Sequence, residues 1–123
     1  MSKLVAIQNA HGNDVYVADI KKECIENIIE SIKLCKQIDK VVLFGSCIEE
    51  RCTERSDIDI AVFGHKTHYA MYQLAGFKKF ARNVRFFGEL QEYDILYFNS
   101  NKDNKDRILD NINKGEILYE KEK

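Results

Sequence analysis

The chain has 123 residues, a formal net charge of −1, 45% hydrophobic and 32% charged residues, and no proline. That length suits one domain, 1–123, with enough chain to bury a core. The balanced charge argues against an overall field for nucleic acid, and no apolar run approaches the ~20 residues of a membrane span.

In chain order, the runs LVAIQ (4–8) and VYVA (15–18) flank NAHGND. They predict an N-terminal hairpin extension over 1–18, with Gly12 and Asn13 supplying positive φ in the turn. From Asp19 to Gln37 the period becomes helical: Ile25, Ile28, Ile29, Ile32 and Cys35 form one stripe, with Asp19 as the expected cap. KVVLF (40–44) reads as a buried strand that Gly45–Ser46 ends. Residues 47–55 are polar and suit a short helical turn. DIDIAVF (57–63) is the next strand, with Ile58, Ile60 and Val62 on one face and Asp57, Asp59, Ala61 and Phe63 on the other.

Residues 67–86 predict a second long helix, which Gly76 weakens. YDILYF (93–98) is a third core strand, and the run 99–106 is a polar loop. Ile108, Leu109 and Ile112 mark a last helix, with Gly115 as its expected cap, and EILYE (116–120) is a closing strand or tail. The 45–56 connection is too short for a crossover helix, so the strands it joins should be antiparallel neighbours. The fold class expected is α+β: a small mixed sheet covered by helices.

The four cysteines, Cys24, Cys35, Cys47 and Cys52, form no C-x-x-C pair and read as core thiols, as a reducing cytoplasm allows. The N-terminus lacks the apolar stretch of a signal peptide. His65 and His68 make an isolated H-x-x-H, more simply read as surface polarity than as a metal pair. Lys78, Lys79, Arg82 and Arg85 alternate with aromatics; a solvated basic helix face is the simpler reading than an RNA or acidic-partner surface.

The chemistry concentrates in LFGSCIEERCTERSDIDIAVFG (43–64). Strand residues i and i+2 lie roughly 6.5–7 Å apart on one side, so Asp57 and Asp59 aim two carboxylates at one place. They repel unless a cation intervenes, and Mg²⁺ takes carboxylates together with substrate phosphates. Gly45 lets backbone approach a phosphate, and the Ser46 hydroxyl can donate to one. Asp94 interrupts an apolar strand; beside the Asp57 strand it would complete an acidic cluster and could accept a hydroxyl proton.

Gly45–Ser46, ten residues, then Asp57-Ile58-Asp59 is G-S-x10-D-x-D. It resembles the signature of the DNA polymerase β-like nucleotidyltransferase superfamily, most closely its minimal nucleotidyltransferases, over roughly residues 20–120. The resemblance implies the polymerase β-like fold and transfer of a nucleoside monophosphate, AMP from ATP or another NTP, to a hydroxyl. It further implies two Mg²⁺ ions, with Gly45 and Ser46 on the β/γ-phosphates, Asp57 and Asp59 on both metals, and Asp94 on the catalytic metal. Cys47, Glu49 and Glu50 stand where the family often has basic residues or glycine, leaving Arg51 or Arg55 to reach a phosphate. Many minimal members pair with a helical HEPN protein as a toxin–antitoxin module and adenylylate its tyrosine, so a HEPN-type partner is expected. A homo-oligomer would equally close the cleft. Two other readings stand beside this one: a weakly catalytic module that neutralises a partner by association, and an antibiotic-type transferase acting on a small molecule.

Overall fold

A computed structural model describes residues 2–102 and 107–122; the predicted polar loop 99–106 lies partly outside them. Strands β1 (Leu4–Gln8) and β2 (Asp14–Ala18) pair antiparallel as the expected hairpin. Gly12 takes φ +80°, but Asn13 does not take a positive φ. The turn is instead held by Asn9, whose Oδ1 accepts from the amides of His11 (2.9 Å) and Asn13 (3.0 Å).

Helix α1 (Lys22–Ser31) is shorter than the 19–37 pattern, with 3₁₀ turns over Asp19–Lys21 and Ile32–Leu34 at its two ends. Asp19 does not cap it; its carboxylate accepts from the Lys3 amide at 3.3 Å, so the hairpin engages that side chain. The remaining strands are β3 (Lys40–Phe44), β4 (Ile58–Gly64), β5 (Tyr93–Asn99) and β6 (Glu116–Glu120), in spatial order β5-β4-β3-β6. β3 is antiparallel to both β4 and β6, and β4 is parallel to β5. The antiparallel β3–β4 pair follows from the short connection between them, and β6 is an edge strand rather than a tail.

The predicted helix 67–86 is two helices, α2 (His68–Gln73) and α3 (Ala75–Arg85), broken at Leu74 (φ −68°, ψ 130°) rather than at Gly76. The extended Leu74 turns the chain so that Met71 and then Phe77, Phe80 and Val84 all reach the core. Thr67 caps α2, its hydroxyl accepting from the Ala70 amide at 3.1 Å. Helix α4 (Ile108–Asn113) ends without the expected glycine cap: Gly115 lacks positive φ. A Cβ there would strike the Leu43 carbonyl, so the glycine serves close approach to β3.

Strand alternation divides the core between two sheet faces. Val41, Leu43, Ile58, Ile60, Val62, Ile95 and Leu118 join the main core with α1, α3 and the hairpin's Ile7, Val15 and Val17. Each fully buried Ile or Leu contributes about 1.5–3 kcal/mol relative to exposure. The other face carries a smaller cluster of Val42, Phe44, Ala61 and Phe98 under Ile112 of α4. Asp59 and Asp94 belong to this second face by register, at the end beyond that cluster.

Candidate active site

The parallel register of β4 and β5 sets Asp59 opposite Asp94, and the antiparallel register of β3 sets it opposite Phe44. Asp57 lies just ahead of β4, which begins at Ile58 and not at Asp57 as expected, and its charge still acts on Asp59. Asp59 is half-buried between two exposed acids. Burial first, then the charges of Asp94 and Asp57, push its carboxyl above the usual carboxylate range. All three causes act in one direction, as expected of like charges crowded at one place.

Asp94 was expected to be a buried charge needing a partner. It is exposed, because α4 covers only the far part of this face, and water solvates it. It still stands beside Asp59, contributing the larger of the two charge effects there.

The Gly45–Ile48 segment is a 3₁₀ turn that follows β3 directly. Gly45 has φ +80°, and a Cβ on it would lie 2.5 Å from Asp59 Oδ2. The bend and the acid are thus in direct apposition, and only glycine satisfies both the backbone and the space. Ser46 is half-buried beside it. Cys47 is fully buried and its thiol donates to the Asp57 carbonyl at 3.2 Å. Burial, with Cys52 adding to it, pushes this thiol up to about 12, so it stays a neutral donor. The residue that departs from the family pattern therefore fixes the backbone of the first acid. All four cysteines are free; Cys35, Cys47 and Cys52 are buried and Cys24 is partly so, as expected of core thiols.

The two arginines divide. Arg51 is held by Glu49 in an ion pair within the loop, while Arg55 is exposed. The histidines do not act together: His65 pairs with Asp39, and His68 packs edge-on against Tyr97 at 5.1 Å between centroids. Lys78, Lys79, Arg82 and Arg85 line the exposed side of α3, and Arg85 donates to the Tyr93 carbonyl at 3.3 Å.

Among the described residues no group of three or more His, Cys, Asp or Glu side chains forms a metal cage. Mg²⁺ does not need one, because it keeps waters and takes one or two carboxylates plus phosphate oxygens. Asp59 fits that role: its charged form is disfavoured by burial and two like neighbours, the condition a divalent cation relieves.

Sequence reasoning missed Lys21, Gln91 and Ser2, which brace the loop before Asp57. A lysine beside a second lysine in a polar turn carried no signal, because its acceptors are contributed by segments far along the chain.

A family model described as polymerase beta, nucleotidyltransferase matches residues 26–123. No curated protein matches the sequence. Among solved structures, a chain of the tri-AMPylated Shewanella oneidensis HEPN toxin in complex with MNT antitoxin is similar at 21% identity and a TM-score of 0.47. That similarity covers 81% of this chain and 72% of the other. With the match reaching from within α1 to the last residue, the chain belongs to the polymerase beta nucleotidyltransferase family.

Proposed function

We propose that the chain is a Mg²⁺-dependent nucleotidyltransferase that moves AMP from ATP to a hydroxyl on a partner protein, and that this partner is a HEPN-type helical protein. The observation that carries the reading is the crowding of Asp57 and Asp94 about Asp59, against a glycine bend with no side chain. Family membership supports the reaction type. The HEPN partner rests on the resemblance to minimal nucleotidyltransferases, and the acidic edge left open beyond α4 suits a macromolecular acceptor.

In this reading Asp57 and Asp59 would hold the metal ions, and Asp94 would be a further ligand to them. When bound, such ions neutralise charge developing on the phosphoryl oxygens. Gly45 leaves room for the β- and γ-phosphates, and the Ser46 hydroxyl donates to them. The acceptor oxygen bonds to the α-phosphorus, the α–β bridge breaks, and pyrophosphate leaves. Asp94 takes the acceptor's proton, which its exposed position allows.

The test is label transfer from α-labelled ATP to the partner. Asp57→Asn and Asp94→Asn are each expected to lower transfer by at least about a hundredfold, since both would remove a direct ligand. Transfer unchanged in either variant would remove these assignments. The Glu49–Arg51 ion pair favours a second reading, in which a loop cation is withheld from phosphate and the fold acts by stoichiometric association. Partner binding unaffected by Asp57→Asn, without label transfer in the wild type, is the outcome that reading expects.

A further inference from the structure

The segment ahead of residue 26 lies outside the family match, yet it reaches under the site. The Ser2 amide donates to the Glu50 carbonyl at 2.9 Å, and its hydroxyl to the Cys52 carbonyl at 2.8 Å. The Lys21 ammonium donates to the Glu54 carbonyl at 3.1 Å and to Gln91 Oε1 at 2.6 Å. Glu50, Cys52 and Glu54 alternate along the loop between Ser46 and Asp57, and Ser2 and Lys21 hold these three carbonyls between them. Gln91 carries the connection on, its Nε2 donating to the carbonyls of Ser56 (3.1 Å) and Glu92 (2.7 Å). The Glu92 carbonyl also accepts from the Ile58 amide at 3.0 Å.

Lys21 is only 2% exposed, and both of these acceptors are neutral oxygens. Burying an ammonium costs heavily unless its donors are satisfied, and an apolar residue of that length would avoid the cost. What the lysine adds is a rigid link between two loops. One carries Asp57 into β4; the other carries Asp94 into β5. We infer that Lys21 is a positioning residue: through Glu54 and Gln91 it fixes the separation of Asp57 and Asp94 before nucleotide arrives. The catalytic meaning of that separation rests on the nucleotidyltransferase reading, but the tether itself does not.

Full-length Lys21→Met, Gln91→Leu and the double variant test it in two ways. Amide hydrogen exchange is expected to quicken at 54–58 and 91–94 in each variant, with β3 and α1 unchanged. Mn²⁺, as a paramagnetic stand-in for Mg²⁺, is titrated in the presence of ATP and followed by its spin-resonance spectrum. Its dissociation constant should rise about tenfold to a hundredfold in each single variant, and in the double by much less than the product of the two, because the Lys21–Gln91 contact they share is lost in all three. Exchange that quickens throughout the protein, losses that multiply in the double, or Mn²⁺ affinity unchanged in folded variants would overturn the inference. Gln91→Leu keeps the test decisive if Lys21→Met fails to fold. A wild type that binds no Mn²⁺ with ATP would sink the proposed function and the positioning role, while exchange at 54–58 and 91–94 would still decide the tether.

Discussion

Gly45 and Asp59 constrain each other, and each can be tested by one substitution. An alanine at Gly45 must hold φ +80° and place its methyl against the Asp59 carboxylate. The left-handed backbone alone costs about 1–2 kcal/mol, before any displacement of the acid. Gly45→Ala should therefore lower the urea midpoint by at least that equivalent and abolish label transfer; a variant with unchanged midpoint and transfer would contradict the apposition. Asp59 makes a pH-dependent claim. Its folded value stands above the ordinary 3.8, so the native state holds this proton more tightly than the unfolded chain does. Stability linked to Asp59 is then fully present below the ordinary value and is lost as pH rises through the folded one. Without divalent cation, Asp59→Asn should remove that fall and be more stable than wild type at neutral pH. Added Mg²⁺ should stabilise wild type by mass action and leave Asp59→Asn largely unmoved. Urea titrations at pH 4 and 7, with and without Mg²⁺, measure both effects.

At the scale of elements, local patterns and tertiary demands separate cleanly. KVVLF, DIDIAVF and YDILYF are apolar runs between breakers, and each became a strand within a residue of its expected bounds. The acids were legible for the same reason: Asp57-Ile58-Asp59 carries strand periodicity in its own spacing. What lay hidden depends on partners far along the chain. No local signal breaks 67–86 at Leu74, because the break serves packing of Met71 and Phe77 on one core. None reveals that Asp94 is solvated, because that depends on how far α4 extends over the second face. The second face offers a direct check. Ile112 is 2% exposed and joins α4 to Val42, Phe44 and Ala61. The cluster is small, so Ile112→Ala should cost about 2–3 kcal/mol, the low end for such truncations. Transfer by the folded fraction should persist, because Asp57, Asp59 and Asp94 all lie off α4. Loss of activity at full folding would mean that α4 holds the site as well as the sheet.

For the whole molecule the question is whether the family-matched part, 26–123, is a complete folding unit. The packing says it is not. The hairpin supplies Ile7, Val15, Val17 and Ala18, all nearly or wholly buried, to the same core that α1 and α3 close. It also docks along the far edge: the Ala10 amide donates to the Leu118 carbonyl at 3.0 Å and Asn9 Nδ2 to the Ile117 carbonyl at 3.0 Å. Removing 1–25 strips apolar cover from one side of the sheet and unpairs carbonyls at Glu50, Cys52 and Glu54. Four small apolar side chains at about 0.8 kcal/mol per buried CH₂ already rival the 5–15 kcal/mol by which a domain of this kind is stable. The fragment 26–123 should therefore lose a cooperative urea transition, and its β3 and β4 amides should exchange without the protection they have in the full chain. A sigmoidal transition near the full-length midpoint would show that the sheet and helices suffice alone. The hairpin and Lys21 would then be additions to a finished domain.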